Sequence, residues 1–200
     1  MGILEAAVVM YLREVYYPEG FRFPLASIPV RMAIAEMVRE ATTIVMLLAV
    51  AMLSGRDALD RFFVFGFLFG VWDVIYYAGL YVALGWPDSP LTWDVLFLIP
   101  VPWVSPVLYP VLVSVALVAG FVSHEFVRAR GGEIRLRGAG WALATTGAAG
   151  VVVAFTWRSR EAVEEASPGN FPAALFAVCF ALALAPFLAS GLRALRNLQD

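Results

Sequence analysis

Five apolar stretches, each long enough to cross a lipid bilayer as a helix, constrain this chain more than any other feature. A hydrocarbon core of about 30 Å takes roughly 20 helical residues. Stretches of that length lie at residues 32–53, 61–84, 105–127, 138–157 and 171–192. Charged residues make up 15% of the 200 residues, against about 25% in soluble domains. We therefore predict an all-α integral membrane protein with about five transmembrane helices.

The remaining segments are assigned around this bundle. Residues 1–31 are predicted to form an N-terminal interfacial helix and a loop, because the apolar stretch between Glu5 and Arg13 is too short to span. Residues 32–192 form a single transmembrane bundle, and residues 193–200 form a short C-terminal tail. The arginines near the span ends number eight on one side and five on the other, which predicts a multi-pass inner or plasma membrane protein with its N-terminus outside and its C-terminus cytoplasmic.

Residues 85–104 break the helical pattern. Four prolines between residues 100 and 110 remove helical hydrogen bonds, and Trp86, Trp93 and Trp103 suit the depth of the lipid headgroups. We predict a Trp/Pro-rich re-entrant or interfacial segment, followed by a span that Ser105 caps and Pro106 opens. The three tryptophans are candidate docking groups for a partner.

The first span carries charged residues on one face. Glu36, Arg39 and Glu40 recur at spacings of three and four, so they form a single polar stripe on an otherwise apolar helix. A charge at the centre of a transmembrane helix costs about 2.5–3.5 kcal/mol on insertion scales, so such a stripe points into the bundle.

On the second span, one face carries Gly66, Gly70, Asp73 and Tyr77. Glycines four residues apart let a neighbouring helix approach closely, so Gly66 and Gly70 are also docking candidates. We expect Asp73 to face the polar stripe of the first span, with Arg39 within reach. The candidates for a proton, cation or polar-ligand site are Glu36, Arg39, Glu40, Asp73, Tyr76, Tyr77 and Asp94.

Composition argues against several functions. All 14 basic residues are arginines and they form no polybasic run, so no nucleic acid partner is predicted. Cys179 is the one cysteine and His124 the one histidine, too few for a zinc or iron–sulfur site. We therefore predict no metal site and no cofactor, and we assign no catalytic residue.

Three functions remain open. The preferred one is an accessory subunit of a larger respiratory, photosynthetic or similar membrane complex, because the chain is small and has no redox ligands or catalytic motif. A proton- or cation-coupled transporter or channel using the intramembrane carboxylates is the first alternative. A membrane enzyme acting on a lipid or isoprenoid is the second, and an enzyme is the less favoured class. The expected partners are membrane lipids and other membrane subunits or further copies of the chain.

Overall fold

The computed structural model describes residues 1–165 and 169–197 and is mostly helical. Five of its helices are long and apolar enough to cross a membrane, which confirms the prediction of a helical multi-pass architecture. The long helices are α2 (Val30–Ser54), α3 (Ala58–Leu84), α4 (Leu108–Ala129), α5 (Gly138–Thr156) and α7 (Ala173–Arg196). Two shorter helices are α1 (Gly2–Tyr16) and α6 (Ser159–Glu164), and two short strands are β1 (Trp93–Phe97) and β2 (Trp103–Pro106).

Helix α7 extends further than the sequence predicted. It continues to Arg196 and so takes up the first half of the predicted C-terminal tail, with Arg193 and Arg196 in its last turn. Cations near the last carbonyl groups of a helix stabilise it through the helix dipole, which favours this extension. Residues 198–200 of the predicted tail lie outside the described residues.

Helix α3 is the axis of the bundle. The Asp57 side chain caps its start by accepting hydrogen bonds from the backbone N–H groups of Leu59 and Asp60, and Gly85 ends it with a φ of 65°. Helix α4 runs antiparallel to it. We call the end of the bundle where α3 stops and α4 starts the hairpin end, and the end where α2 joins α3 the Gly55 end.

The glycine face of α3 packs on α4. A Cβ atom added to Gly70 would lie 2.6 Å from the backbone oxygen of Ser114, and one added to Gly66 would lie 3.2 Å from the Leu117 side chain. The close approach predicted from Gly66 and Gly70 is therefore made within the chain, and α4 covers this face.

Residues 93–106 form an antiparallel β-hairpin, so the chain is not wholly α-helical. Strand β1 pairs with β2 in a register that places Asp94 opposite Ser105 and Val95 opposite Val104. The predicted helix start at Ser105 and Pro106 is wrong, because both residues belong to β2 and α4 begins at Leu108. Pro106 has no backbone N–H to donate, but an edge position in a two-stranded ladder does not need one.

The hairpin reaches halfway along α3. Phe97, near its tip, lies 6.2 Å from the Phe69 ring and 6.2 Å from the Trp72 ring. Phe69 is about 22 Å from the end of α3 at 1.5 Å per residue. The segment enters and leaves at the same end of the bundle, because α3 ends and α4 begins there. Its predicted re-entrant or interfacial position in a membrane stays a prediction.

Helix α1 packs lengthwise along the second half of α3. A Cβ atom on Gly2 would lie 2.6 Å from the Trp72 carbonyl oxygen, and one on Gly79 would lie 2.8 Å from Ala6. The opposite face of α1 exposes Ile3 and Leu4. The predicted position of α1 at the membrane surface stays a prediction, and its packing against α3 is the feature that brings its polar residues to the site.

Helices α5 and α7 form a second closely packed antiparallel pair. A Cβ atom on Gly147 would lie 2.4 Å from the backbone nitrogen of Ala183, and one on Gly150 would lie 2.3 Å from Sγ of Cys179. The small residues of α5 therefore permit the contact. The pair meets α3 and α4 through side chains such as Phe187, which stacks on Phe62.

Candidate functional site

The hairpin end of the bundle encloses a cavity of about 170 Å³ between α1, α2, α3 and β1. We call it the polar cavity. All seven predicted site residues line it, although they come from three separate segments of the chain: Glu36, Arg39, Glu40, Asp73, Tyr76, Tyr77 and Asp94. Helix α1 adds Glu5 and Arg13, so five carboxylates and two guanidinium groups face one space.

Arg13 and Asp94 form a buried ion pair. Nη2 of Arg13 lies 3.0 Å from Oδ1 of Asp94, and the two side chains are 9% and 3% exposed. The Arg13 guanidinium also lies over the Trp86 ring, 3.7 Å from its centroid. Burial raises the pKa of the Asp94 carboxyl, whereas Arg13 and the Tyr76 hydroxyl act to lower it. This ion pair holds the hairpin against α1.

Arg39 is held by two acids. Its Nε donates to Glu36 at 2.7 Å, one turn earlier on α2, and its Nη1 donates to Glu5 of α1. The Arg39 side chain is 23% exposed, so it is the less buried of the two arginines. The sequence predicted that Glu36 and Arg39 share one face of α2, but it did not predict the contact with Glu5, because it offers no pattern that brings α1 beside α2.

Glu40 is buried and accepts a hydrogen bond from the hairpin. The backbone N–H of Leu98 donates to its carboxylate at 2.9 Å. This bond satisfies a donor at the hairpin tip that has no strand partner, since Leu98 follows the last residue of β1. No ion pair involves Glu40 in the part of the chain that the structure describes.

The hydrogen-bond partner of Asp73 differs from the expected one. Its partner is the Ser114 hydroxyl of α4, which donates to Oδ2 at 2.7 Å, rather than Arg39 of the polar stripe. Gly70, one turn before Asp73, brings the two helices close enough for this bond. Asp73 is 9% exposed and Ser114 is 1% exposed. Within residues 1–165 and 169–197, Asp73 forms no ion pair.

The cavity also contains polar groups without partners. The indole N–H of Trp72 and the hydroxyl of Tyr77 are buried and make no hydrogen bond within the described residues. Both side chains line the polar cavity, and both are less than one-tenth exposed. An unpaired buried donor costs about 1–3 kcal/mol, so these groups are available to water or to a ligand in the cavity.

A second buried acid lies at the Gly55 end. Asp60 accepts from the backbone N–H of Arg56 at 2.9 Å, and its two oxygens lie 3.3 Å from Nη1 of Arg128 and 3.3 Å from Nε2 of His124. The His124 ring stacks on Phe63 with centroids 4.4 Å apart. We call Asp60 and these partners the Asp60 cluster.

Two residues of the Asp60 cluster, Asp60 and His124, also belong to a group of side chains spaced closely enough to hold a metal ion. Among the described residues, the ligand atoms of Asp60, His124 and Glu125 lie within 4.8 Å of one another. The two oxygens of Asp60 already lie beside nitrogen atoms of Arg128 and His124, and the positive charge of Arg128 would repel a metal ion. The group is therefore explained as an ion-pair cluster.

The predicted docking tryptophans make contacts within the chain. Trp86 packs on Arg13, Trp93 packs edge-on against Phe171, and Trp103 lies beside Phe155. Each of the three is half-buried. Their use in docking a partner stays a prediction.

Sequence reasoning missed four residues of the site: Glu5, Arg13, Trp72 and Ser114. A signal existed for two of them, because Glu5 and Arg13 are charged residues of a short, mostly apolar helix. The sequence and the fold match no known protein family, no curated protein and no solved structure.

Proposed function

We propose that this chain binds a small organic cation, the protonated amine of a ligand headgroup, in the polar cavity. The proposal rests on the hydrogen-bond partners of two buried carboxylates that face the cavity. Glu40 accepts from the Leu98 amide and Asp73 from the Ser114 hydroxyl, and both donors are neutral. Each carboxylate keeps acceptor capacity for a further donor.

The charges around the cavity do not balance. Its five carboxylates face two arginines, and these arginines are engaged by Asp94, Glu36 and Glu5. Burying an ionised carboxylate costs several kcal/mol unless a cation accompanies it. A ligand cation between Glu40 and Asp73 would supply the missing positive charge.

The spacing of the acids favours an organic cation over a bare metal ion. The described acids of the cavity include no three whose ligand atoms lie within 4.8 Å of one another; that spacing occurs in the Asp60 cluster instead. A metal ion needs several close oxygen ligands, whereas an ammonium group has donors that reach acceptors on different sides. The unpaired Trp72 and Tyr77 groups would hydrogen-bond to an acceptor on the same ligand.

The geometry of the cavity favours ligand binding over the other predicted functions. Glu40 and Asp73 lie at the hairpin end, and Asp60 at the other end already lies beside Arg128, so binding needs fewer assumptions than conduction through the bundle. The predicted accessory subunit rests on size and composition, and the cavity adds nothing to that prediction. An enzyme would need a reactive pair, and we assign none.

The proposal is tested by amine binding to the protein in nanodiscs. Hexylamine is the probe, and hexanol is its uncharged counterpart of equal length. We expect hexylamine to raise the melting temperature and hexanol to leave it unchanged. Glu40→Gln and Asp73→Asn keep the size of each side chain and remove one charge, so each weakens hexylamine binding about tenfold or more, as expected for the loss of about 1.4 kcal/mol.

The matched control is Asp88→Asn, because Asp88 is an exposed acid near the same end of the bundle. It should bind hexylamine like the unmodified protein. Equal stabilisation by hexanol and hexylamine would contradict the proposal. So would unchanged hexylamine binding in a folded protein that carries both Glu40→Gln and Asp73→Asn.

A further inference from the structure

A second cavity lies directly beyond Asp73. It has a volume of about 480 Å³ and extends between α3, α4, α5 and α7. We call it the apolar cavity, because most of its lining is aromatic and aliphatic. Representative lining residues are Phe65, Phe69, Leu117, Ala148, Phe180 and Leu184.

The two cavities share a wall. Asp73, Leu96 and Phe97 line both of them, and Ser114, the hydrogen-bond donor to Asp73, lines the apolar cavity. The Asp73 carboxylate is therefore the charged group at the boundary between a polar space and an apolar one. A ligand whose charged end lies on Asp73 has an apolar volume next to it.

The apolar cavity is long in the direction of the bundle axis. Along α3 its lining runs from Asp73 to Phe62, which is about 16 Å of helix. Aromatic side chains line the far end, where the ring centroids of Phe62, Trp141 and Phe187 lie within 6 Å of one another. This shape fits an extended hydrocarbon chain better than a compact molecule.

We propose that the ligand is a long-chain amine, with its ammonium group at Asp73 and Glu40 and its hydrocarbon chain in the apolar cavity. The inference rests on the proposed function and names the class of ligand. Burial of the chain contributes through the hydrophobic effect, which scales with the apolar area removed from water. The carboxylates supply the selectivity for the charged head.

The experiment is a series of probes of increasing chain length: propylamine, hexylamine and dodecylamine, each measured in nanodiscs. The quantity compared is the ratio of the dodecylamine affinity to the propylamine affinity. Ala148→Phe narrows the apolar cavity, because Ala148 lines it. We expect this variant to lower the ratio about tenfold.

The matched control is Ala149→Phe, which adds the same ring at the next position; both alanines are exposed, but Ala149 does not line the apolar cavity. It reports any effect of chain length that comes from partitioning of the amine into the lipid, and it should keep the original ratio. A ratio that is the same in Ala148→Phe and Ala149→Phe would overturn this inference, because the chain then lies in the bilayer or elsewhere on the protein.

The two proposals fail in different ways. If Glu40→Gln weakens hexylamine binding but Ala148→Phe leaves the ratio of dodecylamine to propylamine affinity unchanged, the charged site is supported and the apolar cavity is not its continuation. If hexylamine binding does not respond to Glu40→Gln or Asp73→Asn, the proposed function fails, and with it this inference. A fall in the ratio confined to Ala148→Phe, together with the loss of binding in Asp73→Asn, supports both.

Discussion

The polar cavity and the Asp60 cluster both bury acids within the bundle, yet their surroundings differ. Asp60 is 3% exposed, accepts a hydrogen bond from the backbone N–H of Arg56, and lies 3.3 Å from the Arg128 guanidinium and 3.3 Å from the His124 imidazole. Asp73 is 9% exposed and receives one hydroxyl. Asp60 belongs to neither the polar nor the apolar cavity, whereas Asp73 lines both.

The difference shows that burial alone does not mark a ligand site. An acid that is saturated with donors fixes two helices relative to each other, and nothing remains for a ligand to satisfy. An acid with unused acceptor capacity beside an open space can exchange its partner. Within the polar cavity itself, Asp94 is of the first kind and Glu40 and Asp73 are of the second.

The largest effect is expected from breaking the Arg13–Asp94 pair. Arg13→Met leaves Asp94 buried without its cation, which lowers the free energy of unfolding by about 3–5 kcal/mol. Reversible unfolding in mixed micelles measures the change. Arg31→Met is the control, because Arg31 is exposed and should change the stability little.

The Arg13→Met variant should also acquire a pH dependence. Without Arg13, burial acts on the pKa of Asp94 with less opposition and raises it further above the value of the unfolded chain, about 3.9. The folded state then binds a proton more tightly than the unfolded state. Stability is therefore highest at acidic pH and falls as the pH rises through the folded pKa. Adding Asp94→Asn should remove the part of the pH dependence that Arg13→Met adds; if that part persists, its origin lies in another group.

Asp60→Asn should separate the two kinds of acid. It weakens hydrogen bonds to charged groups, which costs about 1.5–3 kcal/mol of stability, but leaves hexylamine binding unchanged. Asp73→Asn should do the reverse, with little change in stability and weaker binding. Asp57→Asn is the control for Asp60, because asparagine caps a helix as well as aspartate. If Asp60→Asn weakened hexylamine binding as much as Asp73→Asn, the distinction between the clusters would be lost.

Alanine substitutions at two glycines of α3 should lower stability by smaller and unequal amounts. Gly70→Ala places a Cβ atom 2.6 Å from a backbone oxygen of α4, so the helices must separate, at a cost of about 1–3 kcal/mol. Gly66→Ala meets the flexible end of Leu117 at 3.2 Å and should cost less. Gly70→Ala should also change hexylamine affinity, because it displaces Ser114 from Asp73. Equal stabilities of the two variants in thermal unfolding would argue against this account of the α3–α4 contact.

The smallest effect is expected at Ser114. Ser114→Ala removes the hydroxyl that donates to Asp73 and lowers stability by about 1 kcal/mol, because water in the cavity replaces part of the lost bond. Saturating hexylamine should then stabilise the variant more than it stabilises the unmodified protein. Ser123→Ala, an exposed serine of the same helix, is the control. The same ligand-induced shift in both variants would show that Ser114 and the amine do not share Asp73.

The sequence could predict the local patterns but not the contacts between distant segments. The length of the apolar runs predicted five spanning helices, and the spacing of Glu36, Arg39 and Glu40 predicted one polar stripe. Helical periodicity says nothing about which helix lies opposite, so Ser114 was missed as the partner of Asp73. A single serine in an apolar helix carries no pattern of its own.

The hairpin shows a different limit. Its strands are only five and four residues long, and Pro100 and Pro102 lie between them, so neither alternation nor strand propensity separates the strands from a loop. The hydrogen bond from Leu98 to Glu40 and the ion pair from Asp94 to Arg13 hold it in place. Those partners lie in α2 and α1, and no short-range rule connects them to residues 93–106.

The hairpin also dictates the order in which the chain can assemble. Its backbone cannot rest against lipid, because unpaired amide and carbonyl groups are too costly in hydrocarbon. Two segments that cover the hairpin come late in the chain. Trp103 lies beside Phe155 of α5, and the Ser159 hydroxyl of α6 donates to the Pro102 carbonyl oxygen at 2.6 Å. These contacts can therefore form only after α5 and α6 have been synthesised, so the hairpin completes its packing after most of the chain has been made.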